Sequence, residues 1–152
     1  MKSLFGVVDT REGFIDQYGN SLNSTRTKLT AAQVKALKTT PQTLVSAPGP
    51  NKFAQIEKII GYLDYSGAVF TGGNNLEFRE TDGSGTKVSA DLSSTWLNGA
   101  ADAVAEVSGI EAQTSRLLNA PIVVAVPTAD PGGASATSTL TIIVIYRTIK
   151  VY

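Results

Sequence analysis

The chain contains neither cysteine nor histidine. Those two absences remove zinc centres, disulfide frameworks, and Cys or Ser nucleophiles activated by a histidine base, each of which needs one residue type or the other. Stability must then come from packing alone. Charge is also scarce, at 17% of residues against about 25% in an ordinary soluble domain. Thirteen basic residues balance thirteen acidic ones, so the chain lacks the net charge that helps keep a free monomer dispersed. A surface so poor in charge suits a protein whose exterior is largely covered by neighbours. Long apolar runs are missing too. The longest, 120–127 and 140–146, fall well short of the roughly 20 residues that a bilayer-spanning helix requires. The opening residues hold one lysine and a brief apolar run, which Asp9 and Arg11 interrupt before a signal-peptide core develops. The expectation is a chain made and assembled inside a cell, with no membrane partner.

What is present reads as β structure. At 152 residues the chain fits one domain, which at this size buries about 70% of the surface of its unfolded form. Residues 1–28 are rich in Ser, Thr, Asn and Gly and keep no sustained period of 2 or 3.6, so they read as an extended N-terminal arm preceding a domain at 29–152. Phe5, Phe14, Ile15 and Leu22 give that arm something to bury in a neighbour's groove, and Arg26 and Lys28 give it charge. Fully extended it would reach about 90 Å. A floppy terminus is the plain alternative. Thr30 with Gln33 three residues on forms a capping-box pattern and predicts one short helix at most. Beyond Pro41 the pattern predicts seven or eight strands: 43–47, 52–65, 74–81, 87–97, 103–107, 120–126 and 138–152, punctuated by Gly, Asn and Pro. Many short strands without alternating helices indicate an all-β sandwich of jelly-roll-like type. In the last strand both alternating sets are apolar, whereas a sandwich strand normally shows one face to water. Ile143, Ile145 and Tyr146 are therefore candidates for an oligomer interface, with shielding by the arm or by a loop as the alternative.

Candidate chemistry is thin. Glu80 and Asp82 could share a strand face about 7 Å apart, a spacing used by carboxylate pairs, but they open the Gly-rich turn at 82–85, where acids are ordinarily turn formers. The run 82–86 lacks the residue order of a calcium loop and predicts a hairpin turn. No catalytic residue, metal site or cofactor is expected. Residues 17–38 carry Arg26, Lys28, Lys35 and Lys38 and no acid, while 39–152 carry seven basic and ten acidic residues. Four charges are a small footprint for nucleic acid, and docking on an acidic protein surface suits them better. Trp96 with Tyr62, Tyr65 and Tyr146 could build a sugar-stacking platform, though strand aromatics more often anchor cores and interfaces.

Several segments resemble small virion proteins of tailed bacteriophages. They are 37–52, from Leu37-Lys38-Thr39-Thr40-Pro41 through Ser46-Ala47-Pro48-Gly49-Pro50, then Ile59-Ile60-Gly61-Tyr62-Leu63-Asp64-Tyr65, and Gly72-Gly73-Asn74-Asn75-Leu76-Glu77-Phe78-Arg79. Asn119-Ala120-Pro121-Ile122-Val123-Val124 and Thr139-Leu140-Thr141-Ile142-Ile143-Val144-Ile145-Tyr146-Arg147 complete the pattern. The resemblance is to head decoration, or cement, proteins of β-sandwich type. It implies a place on the outer capsid surface, the major capsid protein as partner, self-association as a trimer, and synthesis in the bacterial cytoplasm. It carries over no catalytic residue and no counterpart for residues 1–28. A tail or baseplate component and a carbohydrate-binding module are the rival readings. On the decoration reading, the arm orders on the shell, and removing 1–28 would leave a folded body that no longer stays attached.

Overall fold

A computed structural model describes residues 14–15, 17, 20–72, 74–110 and 115–152. Among these the fold is all-β and sandwich-like, with ten strands and two short helices. The largest sheet runs β1-β2-β10-β4-β7 and is antiparallel throughout. Its strands are β1 (Phe14–Ile15), β2 (Ser21–Thr30), β4 (Lys52–Asp64), β7 (Ala103–Ser108) and β10 (Thr139–Lys150). A second sheet, β3-β8-β6, joins β3 (Gln42–Val45), β8 (Ile122–Ala125) and β6 (Glu77–Glu80), and β5 (Phe70–Thr71) pairs β9 (Gly132–Gly133). One apolar cluster fills the space between the two larger sheets. Leu140, Ile142 and Val144 from β10, with Ile59 and Leu63 from β4, meet Leu44 and Val45 from β3, Phe78 from β6, and Ile122 and Val124 from β8. Burying each such side chain contributes about 1.5–3 kcal/mol.

The helices follow their caps. Thr30 accepts from the Gln33 backbone N–H at 3.3 Å while the Gln33 side-chain oxygen accepts from the Thr30 N–H at 2.9 Å, so the capping box closes and α1 (Ala31–Val34) forms as expected. A second helix, α2 (Ser94–Leu97), is an addition to the single one anticipated. Ser93 caps it, and it occupies the end of the segment read as a strand over 87–97. The rest of that segment makes isolated bridges, Arg79 with Lys87, Ser89 with Gly109 and Leu76 with Leu92, rather than a continuous ladder. The turn at 82–85 forms as read: the Asp82 carboxylate accepts from the Ser84 N–H and hydroxyl at 2.8 and 2.7 Å.

The arm boundary at residue 28 is corrected by β2. Residues 21–28 lie in the large sheet, paired along β10 from Thr148 with Ser21 to Thr141 with Lys28. Their core-directed positions are Asn23, Thr25, Thr27 and Leu29, three of them polar, so no hydrophobic alternation marked the strand. The ladder offered by β10 recruits it. Truncation at residue 28 would strip a strand from the sheet, so a test of arm docking must stop at residue 13. Phe14 and Ile15 pair in β1 with Leu22 and Ser21, and Phe5 lies outside the described residues.

Candidate association surface

Strand register places the side chains of the large sheet in two sets. On the core side, Leu29, Leu140 and Leu63 form one cross-strand row, and Thr25, Val144, Ile59 and Val107 another. On the outer side three rows follow one another: Lys28, Thr141, Tyr62, Val104; then Arg26, Ile143, Ile60, Glu106; then Ser24, Ile145, Lys58, Ser108. The centre of this face is apolar and partly open to solvent. Val104 is 66% exposed and Tyr62 36%, while Ile60, Ile143 and Ile145 are half-buried. Thr141 is buried among these neighbours. Past Ile145, β4 holds an extra residue at Glu57, a bulge that shifts the register so that Tyr146 faces Ile56. A bulge of this kind bends the strand and increases its twist.

The margins of the face carry opposite charge. Arg26 and Lys28 are exposed along β2, and no salt-bridge partner for them occurs among the described residues. At the other margin Glu106 and Asp102 are exposed, Glu106 meeting Lys58 at 3.1 Å. Asp102 accepts from the Tyr65 N–H at 2.8 Å and stands 3.4 Å from the Tyr62 hydroxyl, and its negative charge raises that hydroxyl above the ordinary tyrosine value. Ion pairs this exposed are worth about 0–1 kcal/mol each. Their arrangement matters more than their strength.

Of the residues singled out from the sequence, Ile143 and Ile145 share the outer face with Arg26 and Lys28. Leu22, 46% exposed, sits opposite Arg147 in the row beyond Ile145. Tyr146 does not join them: it packs against the core, and burial raises its hydroxyl. Strand alternation separates it from its neighbour Ile145. Tyr62, Ile60, Val104 and Glu106 belong to the face but drew no attention as interface residues, because β4 is apolar on both faces and β7 is short.

The carboxylates considered for chemistry serve local structure. Glu80 is 1% exposed and meets the Arg116 guanidinium at 2.6 Å, with the Leu117 N–H donating to its second oxygen at 3.2 Å. Asp82 is turned into its own hairpin. Glu77 is buried against Arg79 and Lys87 at 2.6 and 2.9 Å. Burial pushes its carboxyl up, but the hydrogen bonds from Lys87 and Arg79 and their positive charge prevail and hold it below the usual range. The aromatic platform is not assembled. Trp96 packs on the core side of β4, its ring filling the space a Cβ at Gly61 would need, whereas Tyr62 points to the opposite side. Comparisons with protein-family models, with curated proteins and with solved structures find no match to this chain.

Proposed function

We propose that this chain is a non-enzymatic structural virion protein, a capsid decoration protein that reinforces a phage head by bridging neighbouring major capsid protein subunits from outside. It acts as a homo-oligomer of three copies. The observation that carries the reading is the outer face of the large sheet, where Tyr62, Val104, Ile60, Ile143 and Ile145 form a continuous apolar strip between charged margins. A contiguous strip of this kind, rimmed by polar groups, is characteristic of association surfaces. Two further features support the reading: the low overall charge, and the resemblance that five short segments between residues 37 and 147 bear, read from the sequence, to decoration proteins. Copies held on one shell act at high effective concentration, so contacts that are weak singly add up to durable attachment.

The test is co-sedimentation of the purified protein with empty shells of the same virus assembled without it. Saturable pelleting with the shells, and a rise in the temperature at which they rupture, is the expected result. A protein that stays in the supernatant across the whole concentration range would overturn the decoration role. Removing residues 1–13 alone then asks whether the segment preceding the sheet contributes to retention.

A further inference from the structure

We infer that the outer face of the large sheet is covered by a second copy of this chain, with the basic β2 margin of one copy lying on the acidic β7 margin of the next. The inference rests on the self-association proposed above and names the surface and the pairing that carry it.

Charge polarity across the sheet is the main argument. In the order β1-β2-β10-β4-β7, where β1 flanks β2 only beside Ser21 and Leu22, the cations Arg26 and Lys28 lie on β2 and the acids Asp102 and Glu106 at the β7 side, with the apolar strip between them and Lys58 of β4 at its end, 3.1 Å from Glu106. A copy that brought like margins together would set Arg26 and Lys28 against their own counterparts, whereas a head-to-tail arrangement sets Arg26 against Glu106 and Lys28 level with Val104, between Glu106 and Asp102. Strand direction agrees. Successive strands from β2 to β7 are antiparallel, so β2 and β7 run in opposite directions. Rotation about an axis parallel to the strands therefore brings the two margins together antiparallel, with each row kept at its own height. Arg26 and Glu106 share a row, so Arg26 of one copy arrives level with Glu106 of the next.

The dimensions suit three copies. Sheets pack about 10 Å apart, so side chains on one face fill about 5 Å. Three sheets standing about 5 Å from a common axis enclose a triangular space with sides of about 17 Å, and four strands at about 4.8 Å spacing make a face of about 14–19 Å. Ile60, Ile143 and Ile145 would point to the axis and the charged margins would meet at the corners.

The experiment is light scattering coupled to size-exclusion chromatography over a range of concentrations. It compares the full chain, a β2-margin variant (Arg26→Glu with Lys28→Glu), a β7-margin variant (Asp102→Lys with Glu106→Lys), and the variant carrying all four changes. The wild type should have a mass three times 15.9 kDa. Each single-margin variant should dissociate toward 15.9 kDa, needing at least tenfold more protein to associate, with unchanged circular dichroism. The four-change variant should recover the wild-type mass. An equimolar mixture of the two single-margin variants reads the number of copies, because an odd ring always keeps one like-charge junction. Such a mixture should not regain wild-type association, and a stable two-chain species would overturn closure by three. A trimeric wild type whose margin variants keep its mass would refute the surface while leaving self-association standing. A wild type that is monomeric throughout would overturn both, leaving shell binding to its own test.

Discussion

Replacing Arg116 by alanine should be among the most damaging single changes to this fold. The guanidinium reaches three acceptors: the Glu80 carboxylate, the Gln55 side-chain oxygen and the Ala54 backbone carbonyl. It also lies over the Phe53 ring, 5.0 Å from its centroid. Both members of the ion pair are largely removed from water, with side chains 12% and 1% exposed. Alanine at 116 leaves Glu80 as a buried carboxylate whose remaining partner is the Leu117 N–H. Loss of one member of a buried pair costs about 3–5 kcal/mol, because the survivor keeps its desolvation cost without its counter-charge. At about 2–4 °C per kcal/mol for a chain of this size, the melting midpoint should fall by about 6–20 °C. Urea unfolding followed by the fluorescence of Trp96, the single tryptophan, measures the free energy by linear extrapolation, at one protein concentration so that any contribution of association is held equal between the chains compared. The double change Glu80→Leu with Arg116→Met removes both charges and should be milder than Arg116→Ala. A loss below about 1 kcal/mol in Arg116→Ala, or a double variant less stable than the single one, would refute the assignment of a buried, mutually dependent pair.

Two other outcomes are expected. Glu77 has its carboxyl held below the ordinary range, so its contribution is fully present above the unfolded-state value and is lost as pH falls through the folded one. Stability measured from neutral to acidic pH should decline less steeply in Glu77→Gln than in the wild type, and parallel profiles would show that Glu77 does not drive the decline. Thr81 adopts φ of 69°, a left-handed conformation that a β-branched residue resists, and its side chain is exposed. Asparagine tolerates that conformation, so Thr81→Asn should stabilise by about 0.5–1 kcal/mol in urea titration, against a left-handed penalty of about 1–2 kcal/mol.

The fold class was legible because its signals are local. Turn residues at Pro48-Gly49-Pro50 and 82–85, and the apolar runs that became β8 and β10, mark strand ends and strand cores within a few residues of one another. The capping box at Thr30 and Gln33 was readable for the same reason. β2 was not. Its sequence, with Asn23, Thr25 and Thr27 on the inner side, carries no burial signal, and its strand character comes from β10, more than a hundred residues away. Glu77 was opaque in the same way, since a glutamate reads as exposed until Arg79 and Lys87 are seen to arrive beside it.

The association surface divides along the same line. That β10 is apolar on both sides follows from its residues alone, because alternation in a strand has a period of two whatever the strand pairs with. Which of those residues would lie together on the outside did not follow. Packing of Leu140, Ile142 and Val144 into the core settles that Ile143 and Ile145 face outward while Tyr146 turns to the core. Likewise the opposite charges of Arg26 and Glu106, eighty positions apart, become the two margins of one face only when β10 and β4 are laid between them. Composition determined that this protein is β-rich, low in charge and without cysteine or histidine chemistry. Long-range strand pairing, which no local window of residues contains, determined where its apolar strip and its charges meet.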